Sequence, residues 1–273
     1  MAERLQNRSL AAALFDGWEE TMIYSCLEGV LGDVYAECAN GIPVSAVCVV
    51  ADFAFFAGKP SPNLLTCDFG KPFLILTPRD AMWQSCMERT LAPNAPCPED
   101  TVQLDNVIEG PYGKVQKACR YAFRKDTAFD CTHLALLKDR VPGGYTLHPI
   151  REQAYRECLE TPWSRDLVAN YASYEDYHTH ARGYVIRETT SGAIVAGASA
   201  YTYYSGGIEI EVDTRADHRQ KGLATVCAAT LILACLAYGQ YPSWDAANPV
   251  SVHLAQKLGY TLAHSYPVYY LTK

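Results

Sequence analysis

From residue 144 onward, apolar and polar positions recur with periods that define elements. Ile208-Glu209-Ile210-Glu211-Val212-Asp213 alternates apolar and acidic residues strictly, the period of a strand with one face on a core. Upstream, Tyr184-Val185-Ile186-Arg187 and Ala193 to Tyr203 flank the polar turn Thr190-Ser191-Gly192, which predicts a β-hairpin. Ser205-Gly206-Gly207 predicts the next turn, leading into 208–213. Tyr145 to Ile150 reads as a strand, and Glu152 to Leu159 and Ser164 to Tyr171 read as helical. Ser173, with Asp176 three residues later, predicts the capped start of another short helix. Gly222 to Tyr238 is apolar almost throughout, shorter than the roughly 20 residues a bilayer needs, and reads as a buried helix. Asn248 as cap, Pro249 as first residue and Gly259 as stop frame a helix to Leu258. Tyr260 to Tyr266 and Val268 to Leu271 read as two final strands. The order is strand, two or three helices, three antiparallel strands, helix, strand, helix, two strands.

The pattern before residue 144 is weaker. Ala46 to Val50 and Pro72 to Leu76 are short apolar runs between Gly, Pro or Asp and predict strands. Arg79 to Thr90 and Gly113 to Phe123 read as helices, with Pro93, Asn94, Pro96 and Pro98 interrupting regular structure between them. Asp139-Arg140-Val141-Pro142-Gly143-Gly144 carries an exposed-turn signal. The chain is therefore expected to be α+β, with an α+β accessory domain over 1–140 and a second domain over 144–273.

Composition narrows the function. Apolar residues make up 49% and charged residues 19% of 273 positions, an ordinary globular balance. A formal charge of −7 argues against nucleic acid as a partner, because that binding rests on an excess of Lys and Arg. Eleven cysteines, an odd number without a C-x-x-C pair, argue against zinc and thioredoxin-like sites. No metal is expected. Cys26, Cys48, Cys227 and Cys235 sit among apolar neighbours, as reduced core residues do. The start Met1 to Arg8 lacks the basic and apolar regions of a signal peptide. A cytoplasmic location with no membrane partner is the expectation.

The loop His218-Arg219-Gln220-Lys221-Gly222-Leu223-Ala224 carries most of the chemistry. A helix N-terminus offers unpaired N–H groups and the positive end of a dipole, and Gly222 lets a phosphate come close to the backbone. Arg215, Arg219 and Lys221 gather positive charge there in an acidic chain, the makings of a polyphosphate site; a solvated basic loop would look the same. Arg219-x-x-Gly222-x-Ala224 after an antiparallel strand resembles the acetyl-CoA signature of the GNAT acetyltransferase superfamily. Asn248-x-x-Ser251 followed by Lys257-Leu258-Gly259-Tyr260 resembles that superfamily's second motif, and the order of elements is similar too. Residues 163–263, with Trp163-Ser164-Arg165-Asp166-Leu167 and Trp244-Asp245-Ala246-Ala247-Asn248, resemble a bacterial subfamily that includes zwittermicin-resistance-like acetyltransferases.

The resemblance implies a mixed, mostly antiparallel sheet, splayed at its centre and flanked by helices, with pantetheine lying between Ile208–Thr214 and a short strand at Trp244. It implies that Arg219 and the N–H groups of Gln220, Lys221, Gly222, Leu223, Ala224 and Thr225 hold the pyrophosphate. Val212 and Thr214 would give main-chain contacts to pantetheine, and Asn248 and Ser251 would line its far side, although Asn248 also reads as a plain helix cap. The implied reaction moves an acetyl group from acetyl-CoA, as co-substrate, to a primary amine of a small metabolite or antibiotic by direct attack on the thioester. The alternatives are a protein or peptide amine acceptor and a non-catalytic acyl-CoA sensor. The chain is also compatible with a homodimer. Such chemistry needs a base, and Glu209 or Glu211 is the candidate, because neighbouring carboxylates on one strand face raise each other's pKa; a solvated acidic face is the plain alternative. The tyrosine acid common in the family falls at Ala255 here, so the acid is open, with Tyr201, Tyr203, Tyr204 and Tyr266 available.

Overall fold

The computed structural model describes residues 2–93 and 107–273. Contacts divide the chain into two units, Met1–Arg120 with Ser265–Lys273, and Tyr121–His264. In the first unit, β1 (Glu3–Arg4), α1 (Thr21–Glu28), β2 (Asp33–Ala39), β3 (Ile42–Val50) and β4 (Phe53–Gly58) follow one another. The four strands pair antiparallel in sequence order. A one-turn helix, α2 (Pro62–Leu65), returns the chain to β5 (Phe73–Pro78), which lies parallel to β4. α3 (Ala81–Leu91) starts where the Asp80 carboxylate accepts the N–H groups of Met82 and Trp83, both at 2.9 Å. Val47, Phe56, Leu76, Trp83 and Met87 form its buried core.

Both apolar runs expected as strands lie in β3 and β5, and the Arg79–Thr90 expectation matches α3. Pro93 follows α3; Asn94, Pro96 and Pro98 lie outside the described residues. The expected helix at 113–123 is instead a strand. β6 (Val107–Gly110) and β7 (Gly113–Phe123) form a hairpin, and its turn needs Gly113 at φ +131°. Val115, Ala118, Cys119 and Ala122 fit a helical period, but the pairing across this turn overrides it.

The second unit begins on the last residues of β7. α4 (Cys131–Lys138) packs on the later helix 223–237, so the Pro142-Gly143-Gly144 turn falls inside this unit rather than at its edge. β8 (Tyr145–Pro149) and α5 (Glu152–Glu160) come next. Only Arg165–Leu167 of the expected 164–171 helix is helical, as a single 3-10 turn. Ser164 Oγ donates to the Cys158 carbonyl and Asn170 Nδ2 to the Tyr201 carbonyl, local bonds that compete with a helical ladder. α6 (Tyr174–His180) is capped by Ser173 Oγ, which accepts the Asp176 N–H.

β9 (Gly183–Glu188), β10 (Ile194–Tyr204) and β11 (Gly207–Thr214) continue from β8 as an antiparallel sheet. α7 (Leu223–Ala237) is buried along most of its length, as its composition predicts. There, burial pushes the Cys235 thiol up to about 12 and the Cys227 thiol higher still, keeping both protonated. No helix among the described residues is long and apolar enough to cross a membrane. β12 (Tyr241–Ser243), β13 (Asp245–Ala246), α8 (Pro249–Lys257) and β14 (Leu262–Thr272) complete the chain. β14 runs unbroken through Pro267, where two strands were expected. Tyr269 to Thr272 pair with β5 and keep the strand going beyond the residue that lacks an N–H.

Gly183 fixes α6 against this sheet. A Cβ there would lie 2.5 Å from Tyr177 Oη and 2.7 Å from Ser199 Oγ, atoms that hydrogen-bond each other at 2.8 Å. We predict that Gly183→Ala lowers stability by about 1–3 kcal/mol, the usual cost of overpacking. An unchanged urea midpoint would show that α6 moves aside freely.

Candidate functional site

The sheet of the second unit opens on one side of β11. Along its whole length β11 pairs with β10, but it pairs with β12 only through Gly207, Ile208 and Glu209, opposite Tyr241, Pro242 and Ser243. The strands close tightly at that end, because a Cβ on Gly207 would stand 2.1 Å from the Tyr241 carbonyl oxygen. Beyond Ser243 the chain turns away, and Asp245 and Ala246 pair with Ala122 and Tyr121 of β7. A wedge results, bounded by Ile210 to Thr214 on one side and residues 244–246 on the other. An open strand edge of this kind offers main-chain donors and acceptors to an extended ligand.

At the wide end of the wedge lies the 215–222 loop. Gln220 and Gly222 both take left-handed conformations, φ +63° and +79°, turning the amides of this stretch into a concave run ahead of α7. Gly222 is the N-cap residue and gives no side-chain cap, so the first-turn amides of Leu223, Ala224 and Thr225 have no intrahelical acceptor. Among the described residues, and apart from Gly222 and its chain neighbours, no heavy atom lies within 4 Å of the position a Gly222 Cβ would occupy.

The three basic residues behave differently. Arg215 turns to Asp217, at 2.7 and 3.0 Å, and to His218 Nε2 at 2.6 Å. A guanidinium only donates, so Nε2 is the acceptor and Nδ1 carries the proton that bonds the Tyr145 hydroxyl at 3.0 Å. Lys221 Nζ donates to the same hydroxyl at 3.1 Å. Arg219 anchors its Nε on the Thr214 carbonyl at 3.1 Å, while 65% of its side chain stays exposed. Tyr145 and His218 thus brace the loop; no sequence pattern marked Tyr145, which lies 76 positions from Lys221.

The acidic face of β11 is partly covered. Glu211 and Asp213 are the register partners of Ser199 and Gly197. Over these lie Tyr177, bonded to Ser199, and Leu167, 2.6 Å from a Gly197 Cβ. Glu209 is 3% exposed, and Glu211 and Asp213 are half-buried. Burial raises the Asp213 carboxyl above its ordinary range against the pull of the Thr214 amide and Arg219, and Asp166 adds to the rise.

Other expected site residues already have structural work. The Thr214 N–H bonds the Asp213 carboxylate at 2.6 Å and its carbonyl accepts Arg219, leaving its side-chain hydroxyl, buried without a hydrogen-bond partner, as its free group. Val212 stands mid-wedge, half-buried. Asn248 Oδ1 caps α8 by accepting the Ser251 N–H at 3.0 Å, and Ser251 Oγ accepts from Trp244 Nε1 at 3.2 Å. Ala255 is fully buried and His253 exposed.

A family model described as GNAT acetyltransferase matches residues 12–96 and 96–269. A GCN5-related N-acetyltransferase-like protein from Streptococcus suis 89/1591 is 41% identical, with a TM-score of 0.84 over 97% of this chain and 98% of its own. A tandem GNAT protein from the clavulanic acid biosynthesis pathway shares the fold at 14% identity, with a TM-score of 0.55 over 99% and 97% of the two chains. The uncharacterized N-acetyltransferase YdfB of Bacillus subtilis (strain 168) is 28% identical over 114 residues. That match takes in 39% of this chain and 44% of YdfB, so the chain spans less than half of that relative. A split sheet, an uncapped helix facing it and these matches agree: the chain belongs to the GNAT family of acetyltransferases.

Proposed function

We propose that the second unit transfers an acetyl group from acetyl-CoA to a primary amine of a small molecule. The observation that carries this reading is the wedge between β11 and residues 244–246 with the uncapped α7 N-terminus at its wide end. The fit is supported by the buried, unpartnered Thr214 hydroxyl at that end and by the empty space over Gly222. Acetyl-CoA supplies the acyl group as an activated thioester. The amides of 220–225 with Arg219 hold the diphosphate, the edge around Val212 orients the arm, and Asn248 and Ser251 shape the far wall through their cap and Trp244 bonds. Glu209 or Glu211 takes the proton of the incoming amine. Tyr203 stacks at 4.5 Å on His180 and at 6.1 Å on Tyr171, an aromatic cluster that we assign as a candidate surface for the acceptor.

The first unit is assigned no such site. Its parallel pair β4–β5 stays closed from Phe53 to Phe56, and α2 is a single turn capped by Ser61 Oγ and begun by Pro62, which has no N–H. Calorimetry of the full chain with CoA should give one equivalent bound, and an amine panel with acetyl-CoA should release free thiol. Absence of CoA binding would reject the reading. Binding without thiol release on any amine would favour an acyl-CoA sensor, the reading that the buried Ala255 supports.

A further inference from the structure

α8 carries the buried Ala255 where a proton donor for the leaving thiol is common in the family, so charge compensation must come from elsewhere around the closed end of the wedge. Tyr260 does not supply it: its hydroxyl donates to the Pro242 carbonyl at 2.5 Å, and burial, aided by Tyr241, Cys235 and Glu209, holds it protonated. The Tyr241 hydroxyl is directed to the Arg124 carbonyl at 2.9 Å. Lys125 differs. β7 pairs with β13 through Tyr121 and Ala122, so the chain just beyond runs beside β12, and Lys125 Nζ reaches Ser243 Oγ at 2.7 Å. Ser243 is fully buried and is the last residue of β12 before the strands part. It is the register partner of Glu209, and partners on adjacent strands project from the same face, about 4.8 Å apart. A half-buried ammonium and the candidate base therefore share one face at the point where the wedge opens.

We propose that Lys125 is the cation against which the departing thiolate forms, a role for which α8 offers only Ala255. The proposal rests on the acetyl-transfer reading above. In the step, the amine nitrogen forms a bond to the acyl carbon and the carbon–sulfur bond breaks. Sulfur keeps the electron pair and leaves as a thiolate beside the ammonium, which keeps its own proton. The proton lost by the amine passes to the glutamate and on to solvent, and the thiolate is protonated by solvent after release. An ammonium is a weaker acid than a thiol, with ordinary values of about 10.4 and 8.5, so a fixed charge suits Lys125 better than proton donation. Glu209 from β11, Tyr241 from β12, Asp245 from β13, Cys235 from α7, Tyr260 and the neighbouring Arg124 are titratable groups around this end.

The test titrates the thiol of bound CoA by its ultraviolet thiolate absorbance in the full chain and in Lys125→Met, Lys125→Gln and Lys125→Arg. In the wild type and Lys125→Arg the bound thiol should ionise about one unit or more below that of free CoA, and in both neutral variants the shift should vanish. Turnover should fall about 10²- to 10³-fold in the neutral variants and less than about tenfold in Lys125→Arg, with CoA affinity nearly unchanged. A wild-type thiol shift preserved in Lys125→Met or Lys125→Gln would overturn the proposal and leave Lys125 a structural partner of Ser243. Failure of the wild type to bind CoA would instead overturn the acetyl-transfer reading, and this inference with it.

Discussion

Replacement of Glu209 or Glu211 by glutamine is expected to slow turnover by about 10²–10⁴ at one of the two positions, with CoA affinity close to wild type, as loss of a general base does. The two sites differ physically. Glu209 is buried at the closed end, opposite Ser243, whereas Glu211 stands half-buried inside the wedge opposite Ser199. A base works only when deprotonated, so the wild-type rate should rise with pH through the pKa of that carboxyl and level off above it. The variant that matters should lose this acidic limb. Near-wild-type rates and an intact limb in both variants would mean that the acidic row only packs beneath Tyr177 and Leu167.

The second large effect concerns the loop. Gly222→Val puts a β-branched residue at φ +79°, a conformation that costs about 1–3 kcal/mol for such side chains, and fills the space through which the proposed diphosphate would reach the amides. CoA affinity should fall by about 100-fold or more. Arg219→Ala would remove the proposed charge-assisted contact to the diphosphate, worth about 1.5–3 kcal/mol, and should cost roughly tenfold to hundredfold. Gln220→Gly, which keeps the left-handed turn and relieves its strain, should bind normally. Calorimetric affinities for Gly222→Val and Arg219→Ala equal to wild type would place the diphosphate elsewhere.

What could be read in the sequence was local. The alternation over 208–213 needs only neighbouring residues to signal a strand, and the turn into α7 was legible in Gly222 and the residues beside it. The capped starts at Ser173 and Asn248 were legible for the same reason. Features set by distant pairing were not. Gly113 to Phe123 has a period that suits helix or strand, and β6 decides between them. The sequence left the acidic face of β11 open between a base and a solvated surface, because its partial cover comes from residues 167 and 177, and Lys125 carried no signal because the pairing of β7 with β13 brings it to Ser243. The Tyr145 brace on the loop is equally non-local.

The passage of β14 back into the first unit bears on biosynthesis. β5 receives its antiparallel neighbour from Tyr269–Thr272, so that contact closes across about 190 residues of intervening chain, which at about 5–20 residues per second take ~10–40 s to translate. Until then the nascent first unit presents β5 with an edge that lacks its final neighbour, a template for mispairing that a chaperone would be expected to shield. β14 thus sets when the first unit can finish folding, and damage near residue 270 is felt by residues translated long before it.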